Sequence, residues 1–317
     1  MKIGLVDVDN HKKLNKCFPN LVLMKLSAWH KSIGDQVEWH DPFSFYDTVY
    51  LSKVFSFTPD YTEPILANNV VKGGSGYNIH LEGDREIYDT SCDRPLPDYI
   101  EHIMPDYSLY GITDTAYGFM SRGCPRGCSF CHVKAKEGLR SRKVADLSEF
   151  WNGQKHIQLL DPNTLACPDW KDILTQLADS KAIVEFNQGV DIRLMTERKA
   201  EMITRIKTSS IHFAYDRYQD KAMIEPLFRQ FREVSGWKRS RVTVMVLCNY
   251  DTSLEQDLDR VMFLRSLDFN PFIMLYNKQS IPRGHILYKL ARWCNMPLLF
   301  WKYETFQEYI EHEKETH

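Results

Sequence analysis

Three of the eight cysteines in this 317-residue chain, Cys124, Cys128 and Cys131, are crowded into one short segment. It reads Met-Ser-Arg-Gly-Cys124-Pro-Arg-Gly-Cys128-Ser-Phe-Cys131, a CxxxCxxC spacing. Three thiolates on one tight loop can ligate three irons of a 4Fe–4S cluster, whereas a fully ligated cluster takes four cysteines. One iron then keeps an open position, and an open position on a metal site is where a ligand or substrate enters. Gly123 and Gly127 let the loop curl, and Pro125 stiffens it. Other readings of the same residues stay open at this point. Structural zinc also takes cysteine but favours four ligands, so His132 or Cys167 would have to supply the fourth. A structural or electron-transfer cluster completed by Cys167 is a further option. Cys17, Cys92, Cys248 and Cys294 are scattered, and they read as small core residues.

The elements around this loop repeat strand then helix. Strands are expected at residues 115–120, 155–160, 182–187, 210–215, 241–247 and 271–276, with helical segments between them. The clearest helix starts near Ser253, where Ser-Leu-Glu-Gln256 has capping-box spacing. Six βα units point to an open, partial version of a β/α barrel, since a full one has eight. Side chains alternate between the two faces of a strand. One set is apolar: Ile157, Leu159, Val184, Phe186, Ile211, Phe213, Val242, Val244, Val246, Ile273 and Leu275. It should face the helices. The other set holds His156, Gln158, Glu185, Asn187, His212, Asp216 and Thr243, and a polar interior implies a wet cavity for ligands.

Upstream lies a smaller α/β unit. Residues 2–8 suit a buried first strand, Leu21 to Lys31 a helix, and Gly34 its C-terminal cap. Residues 37–39, 48–51 and 70–71 read as strands, the last running into Gly73-Gly-Ser-Gly-Tyr77. Strand and helix in alternation imply a parallel sheet. A Pro- and Asp-rich connector around residues 93–108 marks the expected boundary, giving domains 1–105 and 106–317. The second ends in an acidic helical tail, Tyr303 to His317.

The bulk numbers limit the function classes. At 43% apolar residues the chain can bury a sizeable core. A net charge of −2 argues against a general nucleic-acid or membrane binder. The opening residues do not resemble a signal peptide, and no apolar run is long enough to span a bilayer, so a cytoplasmic location is expected. In a reducing compartment, crowded cysteines favour metal over disulfide.

The cysteine segment resembles the radical S-adenosylmethionine superfamily, whose motif is CxxxCx(aromatic)C after the first strand of a partial barrel, and here Phe130 is the aromatic. Arg-Gly-Cys-Pro-Arg-Gly-Cys-Ser-Phe-Cys followed by Lys136-Glu-Gly138 is similar to the branch that holds cobalamin-dependent radical enzymes and methylthiotransferases. That branch places a Rossmann-like domain before the barrel. The resemblance therefore implies an α/β fold with a Rossmann-like domain over 1–105 and a partial (β/α)6 radical barrel over 106–317. It also implies a mechanism. The methionyl amine and carboxylate of S-adenosylmethionine chelate the open iron, and an external reductant of flavodoxin or ferredoxin type supplies one electron. The sulfonium then cleaves to a 5′-deoxyadenosyl radical that abstracts hydrogen from substrate, while the protein positions the reactants and excludes water.

Carried over residue by residue, Phe130 would lie beside the adenine. Asp161 and Asn163 stand where the family has a glycine-rich segment for the methionyl amine, and Gly-Gly-Glu is absent there. Asn187, Gln188, Asp191 and Arg193 follow the third barrel strand, and the planar fork of Arg193 suits a carboxylate. Asp216 would bond the ribose hydroxyls, and Tyr276 would meet the adenine.

The substrate stays open. Arg122, Arg126, Lys134, Lys136, Arg140, Arg142 and Lys143 surround the cysteines against one acid, Glu137. They form either a solvated loop or a landing site for an anionic substrate. Methylthiotransferases need a second cluster, and the N-terminal part has only Cys17 and Cys92, so methylthiolation is disfavoured. Three classes remain: a radical enzyme, a non-catalytic cluster or zinc protein, and a nucleic-acid-binding module with a metal staple.

Cobalamin is the remaining cofactor question. Gly73, Gly74 and Gly76 would let the backbone approach a bulky ligand at the strand ends. Asp9-Asn-His11 is weakly similar to a loop supplying cobalt's lower ligand, with Leu14 in place of a glycine. The domain is short for a corrin, so tight cobalamin binding is not expected.

Overall fold

The computed structural model describes residues 1–11, 18–82 and 85–315. Leu14, Cys17 and His317, which figure in the reading above, lie outside the described residues. The chain forms two compact units, Met1–Arg140 with Val144–Ile157, and Ser141–Lys143 with Gln158–His317.

The first unit begins with β1 (Lys2–Asp7) and α1 (Leu21–Ser32), followed by β2 (Gln36–Trp39), β3 (Phe45–Ser52) and β4 (Leu66–Gly73). The sheet order is β2-β1-β3-β4, and every pair is parallel. Both faces of β1 are covered. Ile3 and Leu5 pack with Leu23 and Leu26 of α1, while Val6 packs with Tyr46, Val49 and Leu51. That two-sided burial explains the continuous apolar run at the start of the sequence. The Asn20 side chain caps α1, and Gly34 takes φ +86 just beyond its end. Coil, not helix, joins β2 to β3 and β3 to β4. The alternation of strand and helix is thus looser here than the sequence pattern suggests.

A short α2 (Ser75–Asn78) leads into the antiparallel pair β5 (Ile79–Glu82) and β6 (Arg85–Tyr88), then α3 (Asp98–Glu101). The connector at residue 105 lies within this unit and is bonded to α1. The Asp106 N–H donates to the Met24 carbonyl at 3.1 Å. The Asp106 carboxylate accepts from Ser27 Oγ and Lys31 Nζ, both at 2.6 Å. Beyond it come β7 (Thr115–Gly118), β8 (Ser121–Arg122), the cysteine loop and α4 (Val133–Glu137).

The division between the units falls inside β10 (His156–Leu159), which follows the short β9 (Arg142–Lys143). The second unit continues through α5 (Trp170–Ser180), β11 (Ile183–Phe186), α6 (Glu197–Arg205), β12 (Ile211–Ala214) and α7 (Lys221–Ser235). It closes with β13 (Val242–Cys248), α8 (Leu254–Ser266), β14 (Asn270–Leu275), α9 (Ile286–Asn295), α10 (Pro297–Lys302) and α11 (Phe306–Glu315). Strands β12, β13 and β14 pair in parallel, and Val190, just after β11, forms a parallel bridge with Phe213 of β12. Parallel strands taken in chain order with a helix after each are an α/β architecture.

The expected strand faces are present. The apolar residues from Ile157 to Ile273 are buried, while Leu275, expected with them, is half-buried, as are Gln158, Glu185, Asn187, His212, Asp216 and Thr243. Helix α7 buries Ile224, Phe228 and Phe231 on one stripe, and the two phenyls meet Phe213 at 5.7 and 4.8 Å between ring centroids. Helix α8 starts at the Ser253–Gln256 capping box. The acidic C-terminal helix buries Phe306, Tyr309 and Ile310. Among the described residues, no helix is long and apolar enough to cross a membrane.

Candidate functional site

The sequence-derived site residues fall into two groups, one in each unit. In the first, Cys124, Cys128 and Cys131 are half-buried thiols on a loop that leaves β8 and returns through α4. Gly123 and Gly127 take φ +88 and +58, the left-handed conformations that let the loop curl. A Cβ on Gly123 would stand 2.2 Å from the Arg140 carbonyl oxygen, so the loop's two ends pass in close contact. The Cys131 N–H donates to the Cys128 carbonyl at 3.1 Å, and the Cys124 N–H to the Gly138 carbonyl at 3.2 Å. Phe130 is half-buried on the same loop.

Three of the basic residues named with the cysteines bond to the protein's own groups. Arg122 pairs with Glu137 at 3.2 Å and Glu101 at 3.6 Å, with its guanidinium 3.7 Å from the centre of the Phe119 ring. Lys136 Nζ donates to Ser75 Oγ at 2.8 Å. In the second unit Lys143 pairs with Asp172. Part of the local positive charge is therefore spent on the protein itself, which weakens the landing-site reading of this segment.

In the second unit the loops after successive strands join four polar side chains, Asn163, Asp191, Arg193 and Asp220, with Thr164 and Asp161 bonded as a separate pair. Asn163 Nδ2 donates to Asp191 Oδ2 at 3.3 Å, and Thr164 Oγ1 to Asp161 Oδ2 at 3.4 Å. Arg193 Nε donates to Asp191 Oδ1 at 2.7 Å, and its Nη1 to Asp220 Oδ2 at 3.3 Å. Burial pushes the Asp216 carboxyl up to about 6, against the opposing pull of Arg193 and Arg260. Asp161 and Asn163 are buried. Asn187 donates backbone N–H to the Leu159 carbonyl at 3.0 Å, and Gln188 is exposed in the turn beyond. Tyr276 belongs to a different group. Its ring meets Tyr250 edge-on at 4.9 Å, and its carbonyl accepts from Asn249 at 3.0 Å.

Three residues that hold this rim carry no motif. Asp220 completes the Arg193 pair. Lys199 is buried, with Nζ 3.0 Å from the carbonyls of both Leu165 and Leu194, so it ties the loops after β10 and β11. Burial lowers its pKa. Arg260, fully buried, donates to the carbonyls of Tyr215 and Leu247 at 2.6 and 2.8 Å and pairs with Asp257, so it ties the ends of β12 and β13. The one available signal was a charged pair at i, i+3 on the apolar side of α8.

The carboxyl edge of the first sheet is filled by the protein's own groups. Tyr110 Oη donates to Asp7 Oδ2 at 2.6 Å, and Asn20 Nδ2 to Ser52 Oγ at 2.8 Å. Asp9 accepts from the Val54 and Phe55 N–H groups and from Thr58 Oγ1. His11 Nδ1 donates to the Val8 carbonyl at 3.0 Å. Gly74 takes φ +99, and a Cβ there would lie 2.3 Å from the Lys53 carbonyl oxygen; at Gly76 it would lie 2.7 Å from that of Phe55. These two glycines admit the chain's own backbone rather than a ligand. The residues at this edge do not fit a corrin.

Among the described residues, no three His, Cys, Asp or Glu side chains form a ready metal-holding group. The chemistry of the donor set does fit an iron–sulfur cluster: three thiols on one glycine-bounded loop. Cys167 is buried in the second unit, and burial raises its thiol pKa.

No family model matches the chain, and no curated protein matches it.

Proposed function

We propose that the chain is a radical S-adenosylmethionine enzyme, with Cys124, Cys128 and Cys131 holding a 4Fe–4S cluster. The observation that carries this reading is the CxxxCxxC spacing with an aromatic, Phe130, on a loop bounded by left-handed glycines. When bound, such a cluster would pass one electron from an external flavodoxin- or ferredoxin-type donor to S-adenosylmethionine and so generate a 5′-deoxyadenosyl radical. The protein's part is to bind, orient and keep water out. Within the second unit Asn163, Asp191 and Arg193 form a bonded polar rim, with Asp161 and Asp216 on neighbouring strand ends, groups suited to the charged and hydroxyl ends of a polar ligand. The rim is cross-tied by Lys199 and Arg260, so it is held in place before any ligand arrives. The substrate is left open.

Anaerobic protein with dithionite and S-adenosylmethionine should release 5′-deoxyadenosine and methionine. The electron paramagnetic resonance spectrum of the reduced cluster should change on adding S-adenosylmethionine. An unchanged spectrum from an intact cluster would point instead to a structural or electron-transfer cluster.

A further inference from the structure

We infer that Glu137 is the latch that closes the cysteine loop, positioning it before any metal binds. The inference rests on the proposed cluster site and names a residue that acts on it without being a ligand. The Glu137 carboxylate, 8% exposed, reaches back to the start of the loop. Its Oε2 accepts the Gly123 N–H at 3.0 Å, and its Oε1 accepts Arg122 Nη1 at 3.2 Å. One residue further on, the Gly138 carbonyl accepts the Cys124 N–H at 3.2 Å. Three bonds thus join the residues entering the loop, 122–124, to those leaving it, 137–138. Cys124 is itself one of the joined residues, and Cys128 and Cys131 lie between the two ends.

Geometry makes the latch specific. The carboxylate can serve Gly123 only because Gly123 has no side chain and takes φ +88 against Arg140. Gly138, at φ +87, turns the chain so that its carbonyl follows the carboxylate to the same end. Hydrogen bonds to a charged acceptor are the stronger kind. Holding the ends together lowers the entropy lost when the loop must later gather around a metal. Arg122 is itself fixed by Glu101 and stacks on Phe119, so the latch closes onto a rigid anchor.

The test uses the full-length chain in two states. In the metal-free protein, trypsin should cut within residues 122–140 about tenfold faster in Glu137→Ala than in wild type, as expected from losing charge-assisted bonds. Glu137→Gln keeps an acceptor for the Gly123 N–H but loses the ion pair, and it should fall between the two. In reconstituted protein, iron release to a chelator should follow the same order, with the melting temperature of the whole chain unchanged. Equal cutting rates in Glu137→Ala, Glu137→Gln and wild type would overturn the latch. Should the alanine variant fail to fold, the glutamine variant alone decides by the same comparison. Faster cutting in a chain that takes up no iron and sulfide would keep the latch and overturn the cluster reading.

Discussion

Arg193 and Asp191 are locked to each other twice: the Arg193 side-chain Nε and its backbone N–H both donate to Asp191 Oδ1, at 2.7 and 3.1 Å. The same guanidinium reaches Asp220 at 3.3 Å and lowers the cost of ionising Asp216. It therefore serves as the shared cation for three carboxylates. A carboxylate-bearing ligand would have to compete for it or bind at its outer edge.

Arg193→Ala should leave Asp191, Asp216 and Asp220 facing one another without that cation. We expect the affinity for S-adenosylmethionine to fall about tenfold, the size of one charge-assisted contact, with iron content unchanged. Anaerobic equilibrium dialysis alongside iron analysis measures both. Full affinity in the variant would remove Arg193 from the site. Asp216→Ala should weaken binding in the same assay and also leave the iron in place.

Asp216 also makes a pH prediction. Its folded-state pKa is raised by burial from 3.8 to about 6. A raised carboxyl pKa means the folded state binds the proton more tightly than the unfolded chain. The stability it contributes is full below 3.8 and is lost as pH rises through about 6. Asp216→Asn, which cannot ionise, should therefore melt above wild type at pH 7.5. Its advantage should shrink as pH falls through 6 and vanish near 4. An advantage that stays constant with pH would show that the carboxyl does not titrate in this window.

The strands that carry these residues were legible because burial leaves a period-two trace. All six expected positions in the second part hold a strand, from Thr115–Gly118 to Asn270–Leu275, and the apolar face fell where the alternation put it except at Leu275, which is half-buried. The cysteine loop was legible because thiols and glycines at fixed spacing have few other uses. Glu137 and Lys199 were not legible. A lone acid or lysine on a short helix reads as solvated surface, and only the chain's return past Gly123, or past Leu165 and Leu194, gives either one a partner. Gly74 and Gly76 were legible as close-approach positions, but sequence cannot say whether the approaching group is a ligand or the chain's own Lys53–Phe55 backbone.

Cysteine substitutions separate the cluster readings. Cys124→Ala, Cys128→Ala and Cys131→Ala should each abolish the 4Fe–4S absorption of anaerobically purified protein, because two thiolates hold such a cluster poorly. Cys167→Ala should retain it, at some cost in stability, since Cys167 is buried in the second unit. Loss of the cluster in Cys167→Ala with the fold intact by circular dichroism would assign it a fourth cysteine ligand. A closed, structural cluster would then be the better description.

The glycine loop of the first sheet gives the last prediction, and it concerns cobalamin. Gly74→Ala puts a methyl against the Lys53 carbonyl at a backbone φ of +99, which a side chain rarely adopts. The substitution should cost about 2–4 kcal/mol of stability. It should do so equally with and without hydroxocobalamin, because the close approach is internal. Wild-type protein mixed with hydroxocobalamin and then desalted should keep little corrin absorption, since Asp7, Asn20, Ser52 and Tyr110 already bond one another at the strand ends. A near-stoichiometric corrin band after desalting would show that this network opens to admit the cofactor. It would also turn the proposed reaction toward radical methylation.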